Sequence, residues 1–364
     1  MIQNIDNKKL LSETIGVLRF PLMVCVVLIH IYIPYLGEHQ LVNMFDNYVV
    51  ESFVRIAVPL FFFISGYLFF LGIESFGFGE YREKLKNRVK RLFIPYLLWG
   101  VFAIVVKYFF YLLGEGNAIY LFDGNFKWIY YILWDPFNFQ MWFVRDLFLV
   151  VLISPIIYFL IKRLKFVFVL ITAFVWLCWH KTVFDLFGVA HYFIPENIYR
   201  GYGFDFVSLF FFSFGAWFAL EKRDFTLDFK RLFPIAIMLY VGCTIGRFSV
   251  VNEYWTEIFK RFSIVFGLIS AVVIVYELVI RNKVKRNMFL ESGSQFIYYY
   301  HVLFFTFFSV LLFKFYPYYA NSEIVYFLVY LFIPIITVLL GLGLYKVGMR
   351  WCPKVMRVIL GMRN

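Results

Sequence analysis

The sequence predicts an all-α, polytopic integral membrane protein with roughly ten transmembrane helices and both termini in the cytoplasm. Three observations predict it. Of the 364 residues, 63% are hydrophobic, 24% are aromatic and only 16% are charged, and mean hydropathy is +0.78. Soluble domains carry about a quarter charged residues and under about half apolar ones. Ten apolar runs approach the roughly 20 residues that a helix needs to cross a bilayer. The basic residues then alternate between the two sides. Ten crossings from a cytoplasmic N-terminus leave 24 of the 35 Lys and Arg in inner segments and 7 in outer ones. An odd number of crossings would scramble that asymmetry.

The first run, 13–36, follows Lys8 and Lys9 and continues as a full span without a small-residue cleavage site, so no cleavable signal peptide is expected. Runs 50–73 and 92–113 flank a loop with six basic residues, and run 140–161 ends at Lys162. Run 165–187 is the least clean, at its outer end. Runs 203–221 and 232–250 flank Lys222, Arg223, Lys230 and Arg231, and runs 260–280 and 294–315 flank the stretch from Arg281 to Arg286. Run 323–345 precedes a basic C-terminal stretch. One transmembrane domain over 1–364, with no appended soluble domain, is expected.

The net charge of +12 therefore reads as cytoplasmic loop charge and not as a nucleic-acid surface. Cys25, Cys178, Cys243 and Cys352 are far apart and mostly in apolar runs, so they read as packing residues, and no metal spacing is found. The outer loops 114–139 and 188–202 carry Trp128, Tyr130, Tyr131, Trp134, Tyr192 and Tyr199. They read as an interfacial belt, with a sugar-stacking platform as the alternative.

Four basic residues fall inside spans: Arg19, Arg55, Lys107 and Arg145. Such residues are costly in a bilayer and point to function. Arg19 and His30 are eleven residues apart in "RFPLMVCVVLIH". On a helix that is about three turns, so both share one face, about 16 Å apart along the axis. A snorkelling arginine and a satisfied core histidine would look the same singly. In "YREKLKNRVKRLFIPYLLW", Lys84, Arg88 and Arg91 form one basic stripe on a helix ending at Pro95. It is either ordinary inner-loop charge or a phosphate clamp. In "VPLFFFISGYLFF", Ser65 and Gly66 interrupt a bulky run and allow close helix approach. Arg145 and Asp146 are adjacent, about 100° apart on a helix, so each is expected to need other partners. Asp146 would balance a buried arginine or orient His30. His301 lies well inside the ninth run, structural or supporting. His39, His180 and His191 fall in outer loops and give no ligand pattern.

These residues resemble acyltransferase family 3, integral membrane acyltransferases that modify bacterial surface glycans. Arg19 and His30 match its Arg-ten-residues-His hallmark. "FFFISGY" matches its Ser-Gly stretch, Arg88 and Arg91 its Arg-x-x-Arg pair before a proline, Trp142–Phe143 its Trp-aromatic motif, and Tyr300–His301 its late aromatic-His pair. The order also matches, from the first helix to the last. The resemblance implies a membrane-bound O-acyltransferase of the cell (inner) membrane. Its donor would be cytoplasmic acyl-CoA, commonly acetyl-CoA, used as a co-substrate with no bound cofactor or metal. Arg88 and Arg91 would hold the CoA phosphates and Arg19 would steer the thioester or a phosphate. His30 would act as general base on an acceptor hydroxyl, or carry the acyl group. Ser65, Arg145, Asp146 and His301 would support them. The partners would be a glycan or other hydroxyl acceptor and the lipid bilayer, with no nucleic acid. Some relatives carry a soluble C-terminal domain, which is not expected here. A polysaccharide transporter or flippase is the alternative, because intramembrane Arg, Asp and His also suit a polar pathway. No inverted repeat is visible in support of it.

Overall fold

In the computed structural model of the chain, residues 2–31, 39–112, 127–134, 136, 138–178 and 204–362 are described, and all regular structure among them is helical. In chain order, α1 is Ile2–Ile29, α2 Gln40–Phe45, α3 Ala57–Phe70, α4 Phe78–Arg88, α5 Ile94–Leu112, α6 Lys127–Leu133, α7 Trp142–Leu152 and α8 Ser154–Leu164. Then come α9 Phe166–Cys178, α10 Phe206–Leu220, α11 Phe225–Ser249, α12 Glu253–Ile280, α13 Met288–Tyr319, α14 Glu323–Trp351 and α15 Pro353–Leu360. Six stretches are long and apolar enough to cross a membrane: Lys9–Ile29, Phe78–Leu112, Phe225–Ser249, Glu253–Ile280, Met288–Leu312 and Glu323–Trp351. Two bent pairs, Gln40–Val50 with Val54–Phe70 and Phe139–Leu152 with Ser154–Leu164, raise the candidate spans to eight. α9 and α10 are apolar but shorter.

The boundaries differ from the sequence reading in instructive places. The first helix ends at Ile29, with His30 in the closing turn, and the expected continuation from 32 lies outside the described residues. The fourth run is interrupted at Ile153, where Pro155, near the start of α8, cannot donate an N–H to the preceding turn. Pro95 does not end its helix. A π turn, Val89–Phe93, joins α4 to α5, and Pro95 is the second residue of α5. The wider turn accommodates a proline whose ring would crowd the carbonyl four residues back.

The chain forms two compact units. The first comprises Met1–Leu22, Glu51–Lys84 and Leu149–Met288. Its centre is the crossing of α3 and α10. Between membrane helices there is no hydrophobic driving force, so close packing decides. Gly66 lies against the backbone carbonyl of Phe212, and Gly215 against that of Phe63. Phenylalanines fill the flanks edge to face: Phe63–Phe225 at 5.1 Å and Phe218–Phe229 at 5.4 Å between centroids. Such pairs each add about 0.5–1.5 kcal/mol. Ser65 is half-buried beside this crossing. At one end of the unit Arg55 and Lys260 both bind Glu51, each at 2.6 Å, so Arg55 belongs to a charge network.

The second unit comprises Met23–Val50, Leu85–Phe148 and Phe289–Asn364. Its core joins Tyr96, Trp99 and Ala103 of α5, Met141 and Val144 around the start of α7, Phe296, Tyr299 and Leu303 of α13, Tyr345 of α14, and Met356 and Leu360 of α15. Trp99 stacks flat on Tyr299, 5.5 Å between centroids. Cys25, Cys178 and Cys243 are partly buried, but Cys352, at the junction of α14 and α15, is exposed and is not a packing residue.

Candidate active site

His30 and His301 meet in the second unit. His301 is fully buried in α13, and its Nδ1 is 3.0 Å from the Ile297 carbonyl oxygen one turn back. A carbonyl only accepts, so Nδ1 carries the proton and Nε2 keeps its lone pair. That Nε2 lies 3.2 Å from His30 Nδ1. His30 Nδ1 is also 2.9 Å from the Val26 carbonyl oxygen, so it too carries a proton. One N–H is thus shared between Val26 and His301, and His30 Nε2 is the basic nitrogen. The rings are 5.3 Å apart at 39°.

The segment before α7 is tied to the same stretch of α13. Asn138 donates to the Tyr299 carbonyl at 2.9 Å, Gln140 to the Tyr298 carbonyl at 3.2 Å, and the Tyr298 hydroxyl to the Gln140 carbonyl at 2.7 Å. These bonds seat Phe139, whose ring stands edge-on to His30 at 5.1 Å. His30 therefore has a polar back, His301, and an aromatic side.

Arg145 and Asp146 are both buried and bind each other, Nε to Oδ1 at 2.8 Å, contrary to the expectation that neighbours on a helix need other partners. The arginine is long enough to fold back across the turn. Its Nη1 also donates to the Trp134 carbonyl at 2.5 Å, and its guanidinium lies 5.2 Å from the Trp134 ring. Trp134 is thereby part of an ion-pair network, beyond any interfacial role. The imidazole that orients His30 is His301.

Arg19 is half-buried in α1, within the first unit. Arg88 and Arg91 are half-buried at the end of α4 and in the π turn. Lys84, one turn before Arg88 on α4, donates to the Phe69 carbonyl at 2.7 Å and lies over the Phe69 ring. His39 is buried, with Nδ1 3.2 Å from a Glu323 carboxylate oxygen and its ring stacked on Tyr326 at 3.5 Å. Nothing near either residue in the sequence signals that pairing. His180, His191 and the aromatic residues of 188–202 lie outside the described residues. Among the described residues, no group of three or more His, Cys, Asp or Glu is arranged to hold a metal ion.

With this geometry in place, the comparisons with known proteins decide the family. The family described as "Acyltransferase domain" matches residues 13–346. The chain belongs to this acyltransferase family. Arg19, His30, Ser65, Arg88, Arg91, Arg145, Asp146 and His301 all lie within the matched acyltransferase region. The succinoglycan biosynthesis protein ExoH of Rhizobium meliloti (strain 1021) is 26% identical over 303 residues, which cover 78% of this chain and 76% of that relative. No solved structure matches. The chain is thus a membrane acyltransferase of family 3, with only helices among the regular structure of its described residues.

Proposed function

We propose that the protein transfers an acyl group, acetyl in the first instance, from cytoplasmic acyl-CoA to a hydroxyl of an envelope glycan or its precursor at the inner membrane. The observation that carries this reading is the contact of His301 Nε2 with His30 Nδ1 in a chain of the acyltransferase family. The relative's role in succinoglycan biosynthesis favours a polysaccharide acceptor, and family membership favours catalysis over transport. The sequence's charge asymmetry supports this reading: the loop holding Arg88 and Arg91 carries six basic residues, as cytoplasmic loops do, and acyl-CoA is cytoplasmic.

The chemistry follows from the tautomer. The acceptor hydroxyl gives its proton to His30 Nε2 as its oxygen attacks the thioester carbonyl carbon. His301 accepts the Nδ1–H behind the imidazolium that forms, much as the third member of a catalytic triad does. The C–S bond then breaks, and His30 returns the proton to the departing CoA sulfur. The role assigned to Arg19 is to steer the donor's thioester or a phosphate, and that of Arg88 and Arg91 is to bind the CoA phosphates through forked hydrogen bonds.

The test is transfer of label from acetyl-CoA or succinyl-CoA to glycan by the purified protein in proteoliposomes. No transfer from either donor to any envelope glycan would refute the reading. In the same assay Arg88→Ala and Arg91→Ala are each expected to raise KM for acyl-CoA by about 10- to 100-fold with kcat little changed, since a bond to a charged group is worth roughly 1.5–3 kcal/mol. His301→Ala is expected to lower kcat by about tenfold, and His301→Gln, whose amide oxygen can accept the Nδ1–H, to recover most of it. Equal loss in both variants would exclude this role for His301.

A further inference from the structure

The helix α15, residues Pro353–Leu360, lies beyond the residues matched by the family, yet it is built onto the turn that carries Arg91. Gly361 closes α15 in the left-handed conformation, φ 61°, which favours glycine. A Cβ added there would overlap the carbonyl oxygen, Cα and carbonyl carbon of Arg91, all backbone atoms that cannot swing aside. The Arg91 carbonyl is also the one four residues before Pro95, which has no N–H to offer it. Two side chains hold α15 in this seat. Trp99 Nε1 donates to the Ile359 carbonyl at 3.0 Å, and Gln295 Nε2 to the Leu360 carbonyl at 2.5 Å. Met356 and Leu360 are buried in the core of the second unit beneath them.

We propose that α15 is a working part of the acyl-donor site: Gly361, Trp99 and Gln295 are positioning residues that fix the Arg91 backbone, so that its guanidinium meets a CoA phosphate. This rests on the reading that Arg88 and Arg91 bind the donor. The π turn is an irregular element with a proline just after it, and a side chain on such a turn is only as well placed as the backbone under it. The helix supplies the rigidity by seating its end on that backbone.

The experiment uses the full chain in proteoliposomes, with KM for acetyl-CoA, KM for the glycan acceptor and kcat measured separately. Gly361→Val is expected to raise the donor KM by about tenfold with acceptor KM and kcat unchanged. Trp99→Phe keeps the stack on Tyr299 but loses the bond to Ile359, and is expected to raise the donor KM by about threefold. If Gly361→Val does not yield folded protein, Trp99→Phe decides. A donor KM within error of the parent in the deciding variant overturns the proposal, as does a matching change in acceptor KM. Arg88→Ala and Arg91→Ala, run alongside, separate the two failures. If they leave acetyl-CoA binding intact, the donor-site reading itself falls. If they weaken it while Gly361→Val and Trp99→Phe do not, only the role of α15 falls.

Discussion

Replacing His30 with alanine is expected to lower kcat for acyl transfer by about 1,000-fold while leaving KM for acyl-CoA nearly unchanged. The imidazole is the group that takes the acceptor proton, and a positioned general base contributes about 100- to 10,000-fold. His30→Gln is expected to be equally inactive, because an amide cannot take up the proton. The backbone around His30 is set by Val26, Val27 and the end of α1, so neither variant should unfold the chain. Labelled acetyl-CoA and acid quenching check the chemistry. Direct transfer leaves no label on the parent protein, whereas a His30 acyl carrier would retain it. Full activity in His30→Ala would remove the mechanism altogether, and trapped label would replace the base by a carrier.

Much of the fold was legible because a bilayer leaves few solutions. Among the described residues each apolar run overlaps a helix or a bent helix pair, six to eight of them long and apolar enough to cross a membrane, as hydrogen-bond satisfaction in lipid requires. The irregular points were less legible, although some left a signal. Pro155 inside the fourth run marks its break, and Pro95 marks the π turn once a proline inside a continuous helix is taken as a demand for a wider turn. Contacts between residues far apart in the chain were not legible. His30 and His301 are 271 residues apart, and His39 and Glu323 are 284 apart, so no local periodicity can connect them. Arg145 and Asp146 failed in the opposite way. Helical angles describe where Cβ atoms point, but a long guanidinium can reach back to its neighbour. Gly361 had no signal at all: a glycine near a terminus reads as a helix stop, and its seat on Arg91 exists only in three dimensions.

The largest expected effect on folding comes from Gly66 and Gly215. At the α3–α10 crossing each faces a backbone carbonyl of the opposite helix, Gly66 that of Phe212 and Gly215 that of Phe63. An alanine at either position puts its Cβ inside the space of that oxygen. Side chains can change rotamer, but two helix backbones can only move apart, which pulls Phe62, Phe63, Phe211 and Phe212 out of their fully buried packing. Overpacking commonly costs about 1–3 kcal/mol, and separating two backbones puts this case at or above the top of that range. Gly66→Ala and Gly215→Ala are each expected to lose most monodisperse protein on size exclusion in detergent, and any remainder should melt well below the parent. Because the two glycines relieve one crossing, the double variant should cost less than the sum of the singles: once the helices have separated, the second methyl meets less resistance. Gly343 provides the control. It lies in α14 with nothing near an added Cβ, so Gly343→Ala should be neutral or gain up to about 1 kcal/mol from helix propensity. A parent-like melting temperature for Gly66→Ala would mean that the α3–α10 crossing can open to admit a methyl group, and Ser65 next to it would then have no fixed position on α3.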